Sequence, residues 1–204
     1  MNDRPEDREL LSAWVGGDQR SGDQLCQRYK GIIGRFFRSK APESAQDLAQ
    51  ATMEALVRSS ARYSGEGSFR SFALGIARNV FRHHLRSCSR SRLSFNLEEW
   101  SCEALGLDPY ERLLGDEGHR LLARGLRRIP VDHQIVIELH YWEGMNSFEI
   151  GAVLGVPAST IRDRRRRAEQ LLRRELDSLG RADRSVETTL AGLQTWVDGI
   201  KRRV

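Results

Sequence analysis

Three absences narrow this chain before anything in it is read. Cysteine is scarce: Cys26, Cys88 and Cys102 are the only ones in 204 residues, an odd number at irregular spacing. That is no disulfide framework, and it fits a reducing compartment. No apolar run approaches the roughly 18 residues of a membrane-spanning helix. Residues 1–9 are polar and acidic, unlike a secretory signal, so a cytoplasmic location is expected. No segment alternates apolar and polar residues as a half-buried strand does, so no sheet is expected. Catalytic signatures are missing too. There is no His-Glu-x-x-His, no Gly-rich phosphate loop ahead of Lys-Ser/Thr, and no Gly-x-Ser-x-Gly. Neither an enzymatic activity nor a cofactor is expected.

What the chain has is charge. Charged residues make up 30% of it and hydrophobic residues 39%, a globular composition with a heavily charged surface. Lys and Arg number 33 against 28 Asp and Glu. The positions of these charges say more than the balance. Arginines crowd at 82–92 and 162–174, acidic residues at 3–9 and 98–111. Basic clusters of this kind favour a polyanionic partner.

Helical periodicity dominates, which makes the fold class all-α. Leu10, Leu11, Trp14 and Val15 form a short apolar face ending at Gly16-Gly17. Leu25, Tyr29, Ile32, Ile33, Phe36 and Phe37 recur at three- and four-residue steps, the stripe of an amphipathic helix. After Pro42, Leu48, Ala51, Thr52, Ala55 and Leu56 mark another helix, with Ser44 a candidate N-cap. The loop at 63–68 precedes a long helix carrying Phe69, Phe72, Ala73, Ile76, Ala77 and Val80 on one face. Residues 87–110 show no sustained period and read as a linker, with a short helical turn near 97–105. Helical pattern resumes with Leu113, Leu114, Leu121, Leu122 and Leu126, then Ile135, Val136 and Leu139. Val186, Leu190, Leu193, Val197 and Ile200 predict a further amphipathic helix at the end.

The strongest local signal runs from Asn146 to Leu172. Asn146 and Glu149 have the spacing of a capping box. Gly155 falls where a left-handed residue is cheap. Pro157 falls at the first turn of the next helix. Ser159, Thr160, Arg162, Asp163, Arg164, Arg165, Arg166 and Arg167 follow at once. Together these predict a helix-turn-helix whose second helix bears guanidinium groups. Arginine can bridge O6 and N7 of guanine, and helix N-terminal N–H groups and hydroxyls can bind phosphate. Residues four apart share a face, so Arg162 pairs with Arg166 and Asp163 with Arg167. Arg164 and Arg165 are expected to point to flanking phosphates or solvent.

On these residues a resemblance is specific. The stretch 141–162 resembles region 4 of bacterial RNA polymerase sigma factors of the extracytoplasmic-function (ECF) type. Gln46-Asp47-Leu48-Ala49-Gln50-Ala51-Thr52 resembles their region 2.2, and residues 69–80 resemble regions 2.3 and 2.4. The resemblance covers roughly residues 8–179. It implies region 2 at 8–92, a linker at 93–110, region 4 at 111–180 and a C-terminal extension at 181–204.

The resemblance also implies roles. Asp47 and Gln50 would contact the β′ clamp helices of core RNA polymerase, and region 4 would meet the β flap. Tyr63, Ser64, Gly65, Arg78, Asn79 and Arg82 would bind the −10 element of promoter DNA. Ser159, Thr160, Arg162, Asp163, Arg166 and Arg167 would bind the −35 element. An anti-sigma factor is an expected partner. Phe69 and Phe72 could stack on bases, but read better as core. Ala51 stands where the family commonly has Glu, His83 where Asp is common, and Arg165 at a usually apolar position. Two competing readings remain. One is a stand-alone helix-turn-helix regulator. The other is a metal-dependent enzyme using His83, His84 and Cys88 with Cys102, whose spacing matches no strong zinc signature.

Overall fold

The computed structural model describes residues 5–59, 63, 67–88, 97–106 and 117–179. The expected C-terminal helix and residues 64–66 of the 63–68 loop lie outside these residues. The helices are α1 (Pro5–Val15), α2 (Gln19–Arg38), α3 (Ala45–Ser59), α4 (Phe69–Cys88), α5 (Glu117–Arg128), α6 (Val131–Ile137), α7 (Ser147–Leu154) and α8 (Ala158–Leu179). A 3-10 turn at Pro42–Ser44 leads into α3, and α6 runs on as a π turn at Glu138–Trp142. Among the described residues the only extended pairing is one isolated bridge, Ser101 with Pro130.

Local chemistry explains the first half. Asp18 caps α2, accepting from the Arg20 N–H at 3.1 Å and the Ser21 hydroxyl at 2.5 Å. Arg35 and Arg38 fall in its last turn, where cations complement the helix dipole. All six residues of the predicted α2 stripe are buried, and each contributes about 1.5–3 kcal/mol by leaving water. Phe36, Phe37 and Phe81 meet edge to face at 5.2–6.4 Å. The α1 face closes over α2 through Leu11 and Trp14, whereas Val15 is 53% exposed and lies off that face. Trp14 lies flat against Gly22, where a Cβ would come within 2.5 Å of the indole. On α4, Phe69, Ala73 and Ala77 of the predicted stripe are buried, whereas Phe72, Ile76 and Val80 are half-buried; Leu74, Phe81 and Leu85, off that stripe, are buried instead, because this helix is covered on two sides.

The two halves share one core. It joins residues of α1–α4 to Val131, Ile135, Val136, Leu139, Ile150, Val153, Leu154 and Ile161. Helix α4 packs on α7, and Gly75 lies at their crossing; a Cβ there would sit 3.8 Å from the Val153 carbonyl oxygen. A smaller core of Leu122, Leu126, Ile129, Ile137, Ala168, Leu172 and Leu176 holds α5, α6 and α8 together. The part of the linker at 97–106 is no free spacer. Leu97 and Cys102 are buried. The carbonyls of Leu97 and Trp100 accept the N–H groups of Asp132 and Val131 at 3.0 and 2.9 Å, and the Glu103 N–H donates to Arg127. The segment thus satisfies the first N–H groups of α6, whose own N-cap residue, Pro130, makes no side-chain cap.

Candidate nucleic-acid interface

The helix-turn-helix forms as its sequence implies. Asn146 accepts from the N–H groups of Phe148 and Glu149 at 2.9 and 3.1 Å, and Glu149 accepts from the Asn146 N–H at 2.9 Å. Gly155 ends α7 at φ 73°, ψ 32°, and its N–H donates to the Gly151 carbonyl at 2.8 Å. Pro157 immediately precedes α8 rather than opening it, and its carbonyl accepts the Ile161 N–H at 3.2 Å. Ile161, Ala168, Leu172 and Leu176 anchor one side of α8.

The opposite side carries the −35 candidates. Ser159, Arg162, Asp163, Arg166 and Arg167 are exposed, and Thr160 is half-buried. Asp163, Arg166, Arg167, Gln170, Leu171 and Arg174 line an open groove of about 420 Å³. The neighbouring arginines do something other than expected. Arg164 is 10% exposed and pairs with Glu98 and, at 3.5 Å, with Asp132. Arg165 lies 2.7 Å from Nε2 of His140 and 3.5 Å from Glu169. A guanidinium cannot accept, so Nε2 of His140 accepts and its Nδ1–H donates to the Met145 carbonyl at 3.1 Å. His140, half-buried, is therefore a structural link. The departures of Arg164 and Arg165 from expectation have one cause. Helical spacing sorts side chains by face, but it does not say which faces a neighbouring helix covers.

The −10 candidates are less uniform. Asn79 is exposed, and Arg82 is half-buried. Tyr63 donates to the Gly67 carbonyl at 2.8 Å, and its ring lies 5.0 Å from Phe72 and 6.1 Å from Phe69. Phe69 is 1% exposed, so it is core. Ser64 and Gly65 lie outside the described residues. Arg78 is occupied: its Nε and Nη2 donate to Asp132 at 3.1 and 2.8 Å, a bidentate pair reaching from α4 to α6. On α3, Asp47 and Gln50 are exposed on one face, with Gln50 donating to Glu54 at 3.2 Å.

No motif or spacing announces a row of acids on the second half that receives bases from the first. Asp132 takes Arg78. Glu138 takes Lys40 and Ser39. Glu143 takes Arg35 at 3.0 Å and Arg70 at 2.9 Å. Beside this row, His133 is buried. Burial, then the charges of Arg164 and Arg167, push its pKa below the ordinary histidine value. Burial raises the Cys102 thiol to about 12, which leaves it inert.

Comparison with known proteins gives the same two regions in the same order. The Sigma-70 region 2 model matches residues 24–91, and the Sigma-70, region 4 model matches 125–174. The RNA polymerase sigma-H factor of Pseudomonas aeruginosa is 25% identical over 191 residues, covering 88% of this chain and 98% of that protein. The ECF RNA polymerase sigma-E factors of Escherichia coli K12 and Haemophilus influenzae are each 23% identical over 188 residues. Those alignments cover 88% of this chain and 98% and 100% of the relatives. Among solved structures, CnrH in complex with the cytosolic domain of CnrY aligns with a TM-score of 0.65 at 24% identity, over 85% of this chain and 98% of that one. A helix-turn-helix with an exposed arginine face, a helical bundle ahead of it, and both sigma regions in order lead to one conclusion: this chain belongs to the ECF-type sigma factors of bacterial RNA polymerase.

Proposed function

We propose that this promoter-directing initiation factor reads the −35 element with Ser159, Thr160, Arg162, Asp163, Arg166 and Arg167, and the −10 element with Tyr63, Ser64, Gly65, Arg78, Asn79 and Arg82. The observation that carries the reading is the exposed guanidinium face of α8 behind α7, which is capped at both ends. Arg162 and Arg166 are one turn apart and can enter one major groove together, while Arg174 lies farther along and suits a phosphate. Asp47 and Gln50 on the open face of α3 dock on the β′ clamp helices, and region 4 meets the β flap. Region 2 spans 8–92, the linker 93–110 and region 4 111–180, with 181–204 an extension. The polymerase performs the chemistry, and its company makes the location cytoplasmic. No helix among the described residues is long and apolar enough to cross a membrane. CnrH was solved with the cytosolic domain of CnrY, which supports an anti-sigma factor as a further partner here.

Transcription in vitro from a pool of promoter fragments tests this, with core polymerase alone and with the protein added. The expected result is transcripts that require the protein, from starts sharing upstream −35 and −10 elements. Tight binding to duplex DNA without core, and no transcription, would instead make the chain a stand-alone regulator. Asp47→Ala should weaken binding to core polymerase; an unchanged affinity would remove Asp47 from the clamp contact.

A further inference from the structure

We infer that Arg165 and His140 are positioning residues that set the rotation of α8 and so decide how its exposed arginines meet base pairs. The inference rests on the −35 reading of α8 and adds to it two residues that lie off the exposed arginine face. Helical geometry frames the problem. At about 100° per residue, Arg162, Asp163, Arg166 and Arg167 cover an arc of about 140°, and Arg165 and Arg164 stand about 60° beyond its two edges. Between those two, on the far side, runs the narrow buried ridge of Ile161, Ala168 and Leu172. Apolar contact is non-directional, so the ridge holds α8 in place but fixes its rotation only loosely. A turn of about 20° carries a guanidinium group at the rim of the helix, roughly 6 Å from the axis, by about 2 Å. That is enough to lose a bidentate bond to guanine, because N–H···O distances span only about 0.5 Å.

Directional contacts supply what the ridge lacks. Nη1 of Arg165 donates to Nε2 of His140 at 2.7 Å, and Nδ1–H of the same ring donates to the Met145 carbonyl at 3.1 Å. Met145 is buried, and its own N–H donates to the Leu139 carbonyl at 2.9 Å. The next residue is Asn146, the N-cap of α7. One imidazole thus ties the second turn of α8 to the start of α7, the two helices of the helix-turn-helix. Glu169 orients the guanidinium from one turn farther on. It lies 3.5 Å from Nε of Arg165 and accepts from the Tyr141 hydroxyl at 2.9 Å. His140 and Tyr141 both belong to the π turn that continues α6. At the other edge of the arc, Arg164 reaches Asp132 of α6 at 3.5 Å. The α6 element therefore grips α8 on both flanks and leaves Arg162 and Arg166 exposed between them. Support of this kind, from behind the reading side chains, holds them within the narrow geometry that a bidentate contact requires. An apolar residue in place of Arg165 makes none of these bonds.

Transcription by the holoenzyme from a promoter and its single-base −35 variants tests the pair, read as the ratio of cognate to variant initiation. Arg165→Met keeps most of the side chain and removes its donors, and the ratio should fall at least about fivefold. His140→Phe keeps a ring and should lower the ratio as much. The double variant should lie within about twofold of either single one, because both changes cut one link. Arg165→Lys returns a donor and should recover at least half of the lost ratio. A direct phosphate contact from Arg165 would instead weaken every promoter alike, reduce the salt slope by about one and ignore His140→Phe; that pattern overturns the proposal. An unchanged ratio in Arg165→Met, or losses that multiply in the double variant, overturns it as well. Should His140→Phe not fold, the ratio and the salt slope of the two Arg165 variants decide alone. Arg162→Ala and Arg166→Ala separate the two levels: if they too leave the ratio unchanged, the −35 reading fails with the proposal, and if they lower it, only the positioning role is lost.

Discussion

The Lys40–Glu138 pair offers the sharpest energetic test of how the two halves are joined. Both groups are buried, and removing one partner of a buried pair costs about 3–5 kcal/mol because the other charge is left uncompensated. Lys40→Met leaves the Glu138 carboxylate with hydrogen bonds from the Ser39 hydroxyl at 3.1 Å and Gln134 at 2.7 Å. Glu138→Gln leaves the ammonium on the Phe36 carbonyl at 2.9 Å, on Ser39 at 3.0 Å and 4.0 Å from the Phe36 ring centre. That residual company puts the second variant at the lower end, about 3 kcal/mol. The double variant leaves two neutral groups of similar shape. The amide introduced in place of Glu138 is still served by Gln134 and Ser39, so the double variant should lie within about 1 kcal/mol of the parent. The two single losses then exceed the double loss by at least about 5 kcal/mol, far beyond the roughly 0.5 kcal/mol within which independent sites add. Urea unfolding followed by tryptophan fluorescence measures it. At about 2 kcal/mol per molar urea, each single change should lower the midpoint by about 1.5 M, and the double change should restore most of it. Single losses under about 1 kcal/mol, or losses that simply add, would contradict this account. They would mean that water reaches this pair in solution and that the halves are not joined there.

Arg162→Ala and Arg166→Ala should each reduce discrimination at one −35 base pair by about 1–3 kcal/mol, read by transcription from single-base promoter variants; a uniform loss across all variants would make that side chain a phosphate contact. Asn146→Ala should cost about 1 kcal/mol and lower the melting temperature by about 2–4 °C, with Glu149→Ala non-additive because the two residues cap one another. His133 is held neutral by burial and by the Arg164 and Arg167 charges. Below about pH 6.5 the unfolded chain therefore takes a proton that the native protein refuses. Stability should fall with decreasing pH from there, by no more than about 1.4 kcal/mol per unit from this residue. His133→Leu should flatten that part of the urea-midpoint profile; an unchanged slope would clear His133.

The helix-turn-helix is legible in the sequence because its determinants are short-range. A capping box spans four residues, a left-handed glycine ends a helix on its own, and a stripe repeats every three or four residues. These interactions form between near neighbours whatever the rest of the chain does, so Asn146, Glu149, Gly155 and the α2 stripe can be read directly. The exposure of Arg162 and Arg166 follows from the same periodicity. Arg164 and Arg165 defeat that logic. They sit on the same helix with the same chemistry, yet one meets Asp132 and Glu98 and the other meets His140 and Glu169. The burial of Leu97 and Cys102 in the linker is equally hidden, since an aperiodic segment carries no sign of the surface that receives it.

The described helices, the caps of α7, the arginine face and the family follow from the order of the residues alone. Which charges are spent depends instead on how the helices pack. Lys40 and Glu138 are 98 residues apart, Arg35 and Glu143 are 108 apart, and Arg78 and Asp132 are 54 apart. No local pattern can encode such pairings, because a charge on a helix surface looks the same in sequence whether water or an opposing helix lies over it. The packing of α4 and α8 around α6 settles that, and with it which of the candidate DNA-binding side chains are exposed and which are held.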